Sequence, residues 1–307
     1  MSAPAISTHG LTKRYGRRLA VENLDIEVPT GVVAGFVGPN GAGKTTTMAM
    51  LLGLVSPTAG SGTVLGHPLS DPSAYLCRVG ALIEGPAFYP ALSGRRNLAV
   101  LATLGGHDPA QIPGLLDLVG LGTRGDDRFG RYSLGMKQRL GIAAALLGDP
   151  QLLILDEPSN GLDPAGIHEM RDLIGRLARD DRTVFVSSHA LSELEQVCDW
   201  LVMIDHGRVV FQGPAEELLG QGITRLAVAS ERPSDLGRLR ELLSARCHHV
   251  DMDGAELIVH VGAEDPGRLA AAVNRAAFDA GVVLVELRAQ RTNLEDRYLA
   301  LVTGGDR

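Results

Sequence analysis

Continuous apolar runs and segments of helical periodicity alternate along the first two thirds of the chain. The runs Val32–Val37, Gln151–Asp156 and Thr183–Ser188 have the apolar composition of strands that are buried on both faces. Segments with apolar residues at helical spacing lie between them, up to about residue 222. Strands that alternate with helices in this way predict an α/β fold with a mostly parallel sheet.

Three other segments depart from this alternation. Residues Ala5–Pro29 alternate loosely between apolar and polar, which predicts short antiparallel strands in an N-terminal β subdomain. Residues 91–148 carry apolar positions at helical spacing and predict a helical subdomain inserted between strands of the sheet. From residue 223 the order becomes β-α-β-β-α-β, with a last helix at Leu294–Val302, which predicts a small ferredoxin-like α+β domain. We therefore expect two domains, 1–222 and 223–307.

Composition excludes several classes of protein. The net charge is −7, with 29 basic against 36 acidic residues, which argues against a nucleic-acid partner. The three cysteines are scattered, without the spacing of a disulfide or zinc framework. The longest apolar stretches fall short of the roughly 18 residues that span a bilayer. A membrane role therefore requires a partner.

The first buried strand runs into a glycine-rich loop with the spacing G-x-x-x-x-G-K-T. In this motif the backbone N–H groups and the following helix N-terminus face a polyphosphate, Lys44 reaches the β- and γ-phosphates, and the Thr45 hydroxyl ligates Mg²⁺. The motif predicts binding of a nucleoside triphosphate. The predicted phosphate-binding residues are Gly38, Pro39, Asn40, Gly41, Ala42, Gly43, Lys44, Thr45 and Thr46.

Two carboxylates, Asp156 and Glu157, stand at the carboxyl end of the apolar run Gln151–Asp156. In a P-loop protein a carboxylate at this place holds Mg²⁺, directly or through water. Asp156 is predicted to take that role. Glu157 is next along the chain and is predicted to orient or deprotonate the water that attacks the γ-phosphorus.

Four motifs, in this order, resemble the nucleotide-binding subunit of an ABC transporter. They are Pro39–Thr46 (PNGAGKTT), Ser133–Arg139 (SLGMKQR), Leu155–Pro164 (LDEPSNGLDP) and Ser187–His189 (SSH). The resemblance covers about residues 5–220. It implies an ATPase that uses ATP and Mg²⁺ and powers a separately encoded transmembrane permease from the cytoplasmic face of the membrane.

The same resemblance implies roles for individual residues of the ATP site. Tyr15 matches the aromatic residue that stacks on adenine, although from composition alone it is a half-buried turn residue. Glu157 looks like the catalytic base, assisted by Lys44. His189 matches the switch histidine that contacts the γ-phosphate and positions the water.

Three further positions imply that the ATP site is shared between two chains. Ser133 and Gly135 match the signature loop that closes on ATP held by the other protomer, and Asp163 matches the loop that communicates across the dimer. The expected assembly is a head-to-tail dimer, with a second copy of the chain as the expected partner.

The chain departs from the family pattern at two places, and one of them, together with the tail, connects it to one branch of the family. The signature reads Tyr132–Met136 (YSLGM) where the family commonly has Leu-Ser-Gly-Gly-Gln. Glu84 stands where a magnesium-sensing glutamine is usual, as in bacitracin- and lantibiotic-type exporters; it is either a metal ligand or a solvated loop acid. The tail Thr292–Gly304 resembles that of bacterial drug and antibiotic exporter ATPases, so we expect export of a drug, antibiotic or peptide.

Two alternatives stay open at this point. One is a soluble ABC ATPase that acts on nucleic acid or ribosomes, and the other is a nucleotide-dependent regulatory module. Separately, His248 and His249 suggest a metal, but no third ligand lies nearby in the sequence, so we interpret them as an exposed strand edge.

Overall fold

The computed structural model describes residues 3–178, 182–219, 225–245, 249–261, 265–290 and 298. The contacts divide the chain into two compact units with the boundary between Glu217 and Leu218, and Tyr298 belongs to the first unit. The boundary predicted at residues 222 and 223 lies outside the described residues, as does the predicted helix Leu294–Val302 except for Tyr298.

An antiparallel sheet forms the start of the first unit. Its order is β2-β1-β5-β6, and β3 also pairs with β1, so the predicted N-terminal antiparallel strands are present. The strands are β1 (Ile6–Tyr15), β2 (Arg18–Leu24), β3 (Glu27–Val28), β5 (Ala59–Val64) and β6 (His67–Pro68).

A six-stranded sheet forms the centre of this unit, in the order β11-β10-β4-β9-β8-β7. All neighbours are parallel except the edge pair β10 and β11. Every residue of β4, β8 and β9 is buried, which explains their continuous apolar runs. The strands are β4 (Val33–Val37), β7 (Val79–Leu82), β8 (Leu152–Leu155), β9 (Thr183–Ser188), β10 (Trp200–Asp205) and β11 (Arg208–Pro214).

Seven helices accompany these two sheets in the described part of the first unit. They are α1 (Lys44–Leu51), α2 (Gly94–Gly105), α3 (Ile112–Leu118), α4 (Leu134–Ala145), α5 (Pro164–Leu177), α6 (Leu191–Leu194) and α7 (Ala215–Leu219), which reaches two residues past the boundary. Helices α2 to α4 contact one another and make up the predicted helical subdomain at 91–148. Among the described residues, no helix combines the length and hydropathy needed to cross a bilayer.

The second unit has the β-α-β-β-α-β order predicted from the sequence. Its sheet is antiparallel throughout, in the order β13-β14-β12-β15, and two helices cover the apolar face that carries Leu226, Leu257 and Val259. This arrangement is ferredoxin-like. The elements are β12 (Arg225–Ser230), α8 (Leu236–Ser244), β13 (Val250–Asp253), β14 (Glu256–His260), α9 (Pro266–Asp279) and β15 (Leu284–Gln290).

Candidate nucleotide-binding site

The glycine-rich loop connects the buried strand β4 to helix α1. Gly41 and Gly43 have φ angles of 83° and 105°, a region that side chains rarely adopt. A Cβ atom on Gly43 would lie 2.5 Å from the carbonyl oxygen of Ala20, and one on Gly38 would lie 2.3 Å from that of Ile204. Backbone conformation therefore favours glycine at Gly41, lack of space requires it at Gly38, and both reasons apply at Gly43.

The Lys44 ammonium group is held inside this loop. The residue is only 5% exposed, and its Nζ donates hydrogen bonds to the carbonyl oxygens of Gly38 (2.7 Å) and Pro39 (3.2 Å). Nζ also lies 3.2 Å from Oε1 of Glu157. A buried cation that is held by backbone carbonyls at the start of a helix suits an anionic ligand.

Asp156 is placed directly after β8 and is held from two sides. Thr45 Oγ1 donates to Asp156 Oδ2 at 2.8 Å, and Ser187 Oγ donates to Asp156 Oδ1 at 2.6 Å. A carboxylate beside a threonine hydroxyl is the oxygen donor set that Mg²⁺ prefers. The donor chemistry of Thr45 and Asp156 therefore fits this ion.

Glu157 and His189 form the next pair. Glu157 has a φ angle of 45°, uncommon for a residue with a side chain and typical of functional turns. Its backbone N–H donates to Ser187 Oγ at 2.9 Å, and its Oε2 lies 2.8 Å from His189 Nδ1. One carboxylate therefore contacts Lys44 with one oxygen and His189 with the other.

These residues meet because the strands that carry them are in parallel register. Val37 pairs with Ser188, and Leu155 pairs with Val186, so β4, β8 and β9 end at the same edge of the sheet. Gly38 lies one residue beyond that edge. The topology thus assembles one site from three distant parts of the sequence.

A cavity of about 350 Å³ opens over the glycine-rich loop. The N-terminal sheet contributes a wall that includes Tyr15, which is 48% exposed and has Lys13 Nζ 5.0 Å from its ring centroid. Arg18 and Ala20 also line this wall and were not predicted, because nothing in the alternation of β2 distinguishes them. The predicted residues that line the cavity are Tyr15, Asn40, Gly41, Gly43, Lys44, Thr45, Thr46 and Glu157.

Ser133, Gly135 and Asp163 lie together, but apart from that cavity. They line a second one of about 620 Å³ between the start of α4 and the start of α5. Ser133 Oγ accepts from the Met136 N–H at 3.3 Å, and Asp163 Oδ1 accepts from the Gly166 N–H at 2.9 Å, so both residues cap helices. The predicted site residues therefore fall into two spatial groups within one chain.

Glu84 lies two residues beyond β7, at the same edge of the central sheet as Asp156. The Asp156 N–H donates to the Leu82 carbonyl at 2.8 Å, which connects the two loops. Glu84 is exposed, has a φ angle of 57°, and is not among the residues that line the cavity over the glycine-rich loop.

The fold and site together define a P-loop nucleoside triphosphatase. The ABC transporter family profile matches residues 21–160. The bacitracin transport ATP-binding protein BcrA of Bacillus licheniformis is 39% identical over 98% of each chain. The lantibiotic transport ATP-binding protein SrtF of Streptococcus pyogenes is 42% identical over 67% of this chain and 90% of its own. A solved structure titled as the ATP binding subunit of an ABC transporter has a TM-score of 0.62 at 30% identity, covering 70% of this chain and 91% of that chain.

The chain belongs to the ATP-binding proteins of ABC transporters. It binds ATP and hydrolyses it, as the members of this family do. Neither the nucleic-acid alternative nor the regulatory alternative receives support from these relatives.

Proposed function

We propose that two copies of this chain associate head to tail and drive a separately encoded membrane permease that exports a peptide antibiotic. The chain would act at the cytoplasmic face of the membrane. Similarity to a bacitracin transport protein over 98% of both chains supports this substrate class. We assign residues 1–222 to the ATPase domain and residues 223–307 to an accessory domain.

The cavity over the glycine-rich loop would hold the ATP. The Lys44 ammonium and the loop N–H groups face the β- and γ-phosphates, and the Tyr15 ring supplies a stacking surface for adenine. Thr45 and Asp156 would hold Mg²⁺, with Glu84 as a further carboxylate. The ion would neutralise charge that develops on the phosphate oxygens.

Glu157 and His189 would carry the hydrolytic step. The Glu157 carboxylate would accept a proton from the attacking water. The His189 imidazole, 2.8 Å from that carboxylate, would orient the water and contact the γ-phosphate. Ser133 and Gly135 of a second chain would close over the same phosphates, with Asp163 in the contact between the chains.

The observation that carries the dimer proposal is the separation of the two cavities. Lys44 and Glu157 line one, whereas Ser133, Gly135 and Asp163 line the other. If both groups serve one ATP, the second group has to come from another molecule. A closed head-to-tail pair brings each group onto the partner's ATP.

Mixing two inactive variants tests this arrangement. Lys44→Ala removes the cation of the phosphate-binding loop and leaves the signature loop intact. Ser133→Arg blocks the signature loop and leaves the phosphate-binding loop intact. Each variant alone should lack ATPase activity. A mixture should regain part of it, because a mixed dimer contains one site with both parts intact. A mixture as inactive as its components would contradict a shared site.

The transport proposal needs a separate experiment. The tagged chain is expressed together with the genes that flank its own, and the detergent extract is purified on the tag. We expect the permease to co-purify and the pair to lower the susceptibility of the host to bacitracin-type peptides. The Lys44→Ala variant should co-purify equally and give no protection. Absence of any retained membrane protein would contradict the proposal.

A further inference from the structure

A cluster of three metal-binding side chains lies in the second unit, far along the sequence from the ATP site. His249 immediately precedes β13, Asp251 is the second residue of β13, and His260 is the last residue of β14. The Asp251 Oδ2 atom lies 2.9 Å from His260 Nε2 and 3.6 Å from His249 Nε2. All three donor atoms lie within 4.8 Å of one another.

Strand pairing explains how this cluster forms. The two strands are antiparallel, with Val250 opposite Val259, and the His260 N–H donates to the His249 carbonyl at 3.1 Å. The two histidines are therefore cross-strand neighbours on one face, and Asp251 is on that face because side chains repeat every two residues. The imidazole rings are 4.9 Å apart. The sequence analysis overlooked Asp251, two residues beyond His249, and the remaining ligand, His260, comes from the neighbouring strand.

We propose that His249, Asp251 and His260 bind one divalent cation of the zinc class on the C-terminal domain. Two imidazole nitrogens and one carboxylate oxygen form a ligand set that favours Zn²⁺, Co²⁺ or Ni²⁺ over Mg²⁺ and Ca²⁺, which prefer oxygen ligands only. The site is distinct from the Mg²⁺ site proposed for Thr45 and Asp156.

The spacing of the donors suits this ion. A tetrahedral Zn²⁺ at about 2.1 Å from each ligand requires donor atoms about 3.4 Å apart. The two distances to Asp251 Oδ2, 2.9 and 3.6 Å, lie on either side of that value. Small side-chain rotations therefore complete the geometry. The three residues are between 39% and 68% exposed, so the ion has access from solvent.

The position of the cluster on the β13–β14 hairpin means that a bound ion would stabilise the edge of the sheet. Strand β13 is at the edge of its sheet, and the turn of the β13–β14 hairpin contains Gly254, with a φ angle of 57°. His249 and His260 are at the opposite, open end of the same hairpin. An ion bound there would join the two strands where no turn connects them, and would stabilise the folded form by mass action.

Zinc titration of the full-length chain, without nucleotide or Mg²⁺, tests the proposal. We expect one high-affinity equivalent of Zn²⁺ per chain by calorimetry, and Co²⁺ in its place should give the visible absorption of a four-coordinate ion. His249→Ala, His260→Ala and Asp251→Asn should each weaken binding at least tenfold. His168→Ala is the matched control, because His168 Nδ1 lies 3.1 Å from Asp172 without a third ligand among the described residues.

The variants keep the test falsifiable because His249 and Asp251 are exposed and His260 is partly exposed, so none of the substitutions opens the core. Thermal unfolding without metal should be the same in all of them, and added Zn²⁺ should raise the midpoint for the parent and His168→Ala proteins alone. Zinc binding that is equally tight in the three cluster variants would overturn the proposal, as would the absence of any high-affinity equivalent in the parent. If one variant fails to fold, the other two still decide the outcome.

Discussion

The Lys44 ammonium group and the Glu157 carboxylate form an ion pair, with 3.2 Å between Nζ and Oε1. Lys44 is nearly buried and Glu157 is 20% exposed, so water screens this pair only partly. In the proposed mechanism Lys44 also has to hold the phosphates of ATP. The Glu157 carboxylate and the ligand therefore compete for the same cation.

Replacement of Glu157 by Gln should separate binding from hydrolysis. The amide cannot take a proton from water, so turnover should fall by roughly 10²–10⁴, the usual contribution of a general base. ATP should bind at least as tightly as in the parent, because the amide no longer competes as an anion for Lys44. Phosphate release and equilibrium nucleotide binding measure the two effects.

The exposed Glu241 on α8 provides the control, since Glu241→Gln removes the same charge in the other unit. Both properties should be unchanged in that variant. Normal turnover in Glu157→Gln would remove Glu157 from the mechanism.

Asp156→Asn should change the response to Mg²⁺. The amide keeps the size of the side chain and loses the negative charge that attracts the cation. We expect the Mg²⁺ concentration for half-maximal hydrolysis to rise about tenfold or more, measured at saturating ATP. Asp172→Asn on α5 is a matched exposed change and should have no effect. An unaltered Mg²⁺ dependence in Asp156→Asn would argue against the metal role.

The side chain of Glu84 is either a ligand of Mg²⁺ or a solvated surface acid, and two substitutions distinguish these roles. If it contributes to Mg²⁺ binding, Glu84→Ala should raise the Mg²⁺ requirement, and Glu84→Gln, which keeps an oxygen ligand, should raise it less. ATP affinity without Mg²⁺ should stay the same or increase, because a negative charge near the phosphates is removed. Identical Mg²⁺ titrations for both variants and the parent would leave Glu84 as a surface residue.

Two glycines of the phosphate loop should differ in their tolerance of alanine. Both have positive φ angles, but a Cβ on Gly43 meets the Ala20 carbonyl at 2.5 Å, whereas the nearest atom to a Cβ on Gly41 is at 3.8 Å. We expect Gly41→Ala to cost about 1 kcal/mol and Gly43→Ala about 3 kcal/mol or more. Denaturant unfolding followed by the fluorescence of Trp200, the single tryptophan, reports on the central sheet. Equal losses would show that backbone strain alone is responsible.

Cys198 and Cys77 should differ in reactivity. Burial raises the pKa of the Cys198 thiol well above its ordinary value, so little of the reactive thiolate is present at neutral pH. Cys77 is exposed. Native treatment with iodoacetamide and peptide mapping should find Cys77 modified and Cys198 protected, even at pH about 9. Denaturation should abolish the difference. Rapid native modification of Cys198 would contradict the tight packing around it.

The sequence predicted the parts of the fold that depend on local patterns. The runs that became β4, β8 and β9 were recognisable because strands buried on both faces are continuously apolar, and the glycine-rich loop was recognisable because its spacing is rigid. Ser133 and Asp163 are N-caps of α4 and α5, residue types that local sequence favours at a helix start.

The site residues that the sequence did not predict come together from segments that are distant along the chain. Arg18 lines the ATP cavity only because the N-terminal sheet lies beside the phosphate loop, and nothing in its own segment indicates this. His260 joins His249 and Asp251 only through the pairing of β13 with β14. Asp251, two residues beyond His249, was within reach of a search along the chain and was overlooked, whereas His260 was not.

The Ser187 hydroxyl donates to the Asp156 carboxylate and accepts from the Glu157 N–H. Ser187 belongs to β9, and Asp156 and Glu157 directly follow β8, so this single oxygen fixes the ends of the two strands to each other. His189 follows two residues after Ser187. Asp156, Glu157 and His189 are therefore held together, and Thr45 and Lys44 join them through the hydrogen bond to Asp156 and the ion pair with Glu157. Because β4 also pairs directly with β9, a ligand that separates Thr45 from Asp156 or Lys44 from Glu157 would have to do so by moving side chains, since the strands that carry them are fixed side by side.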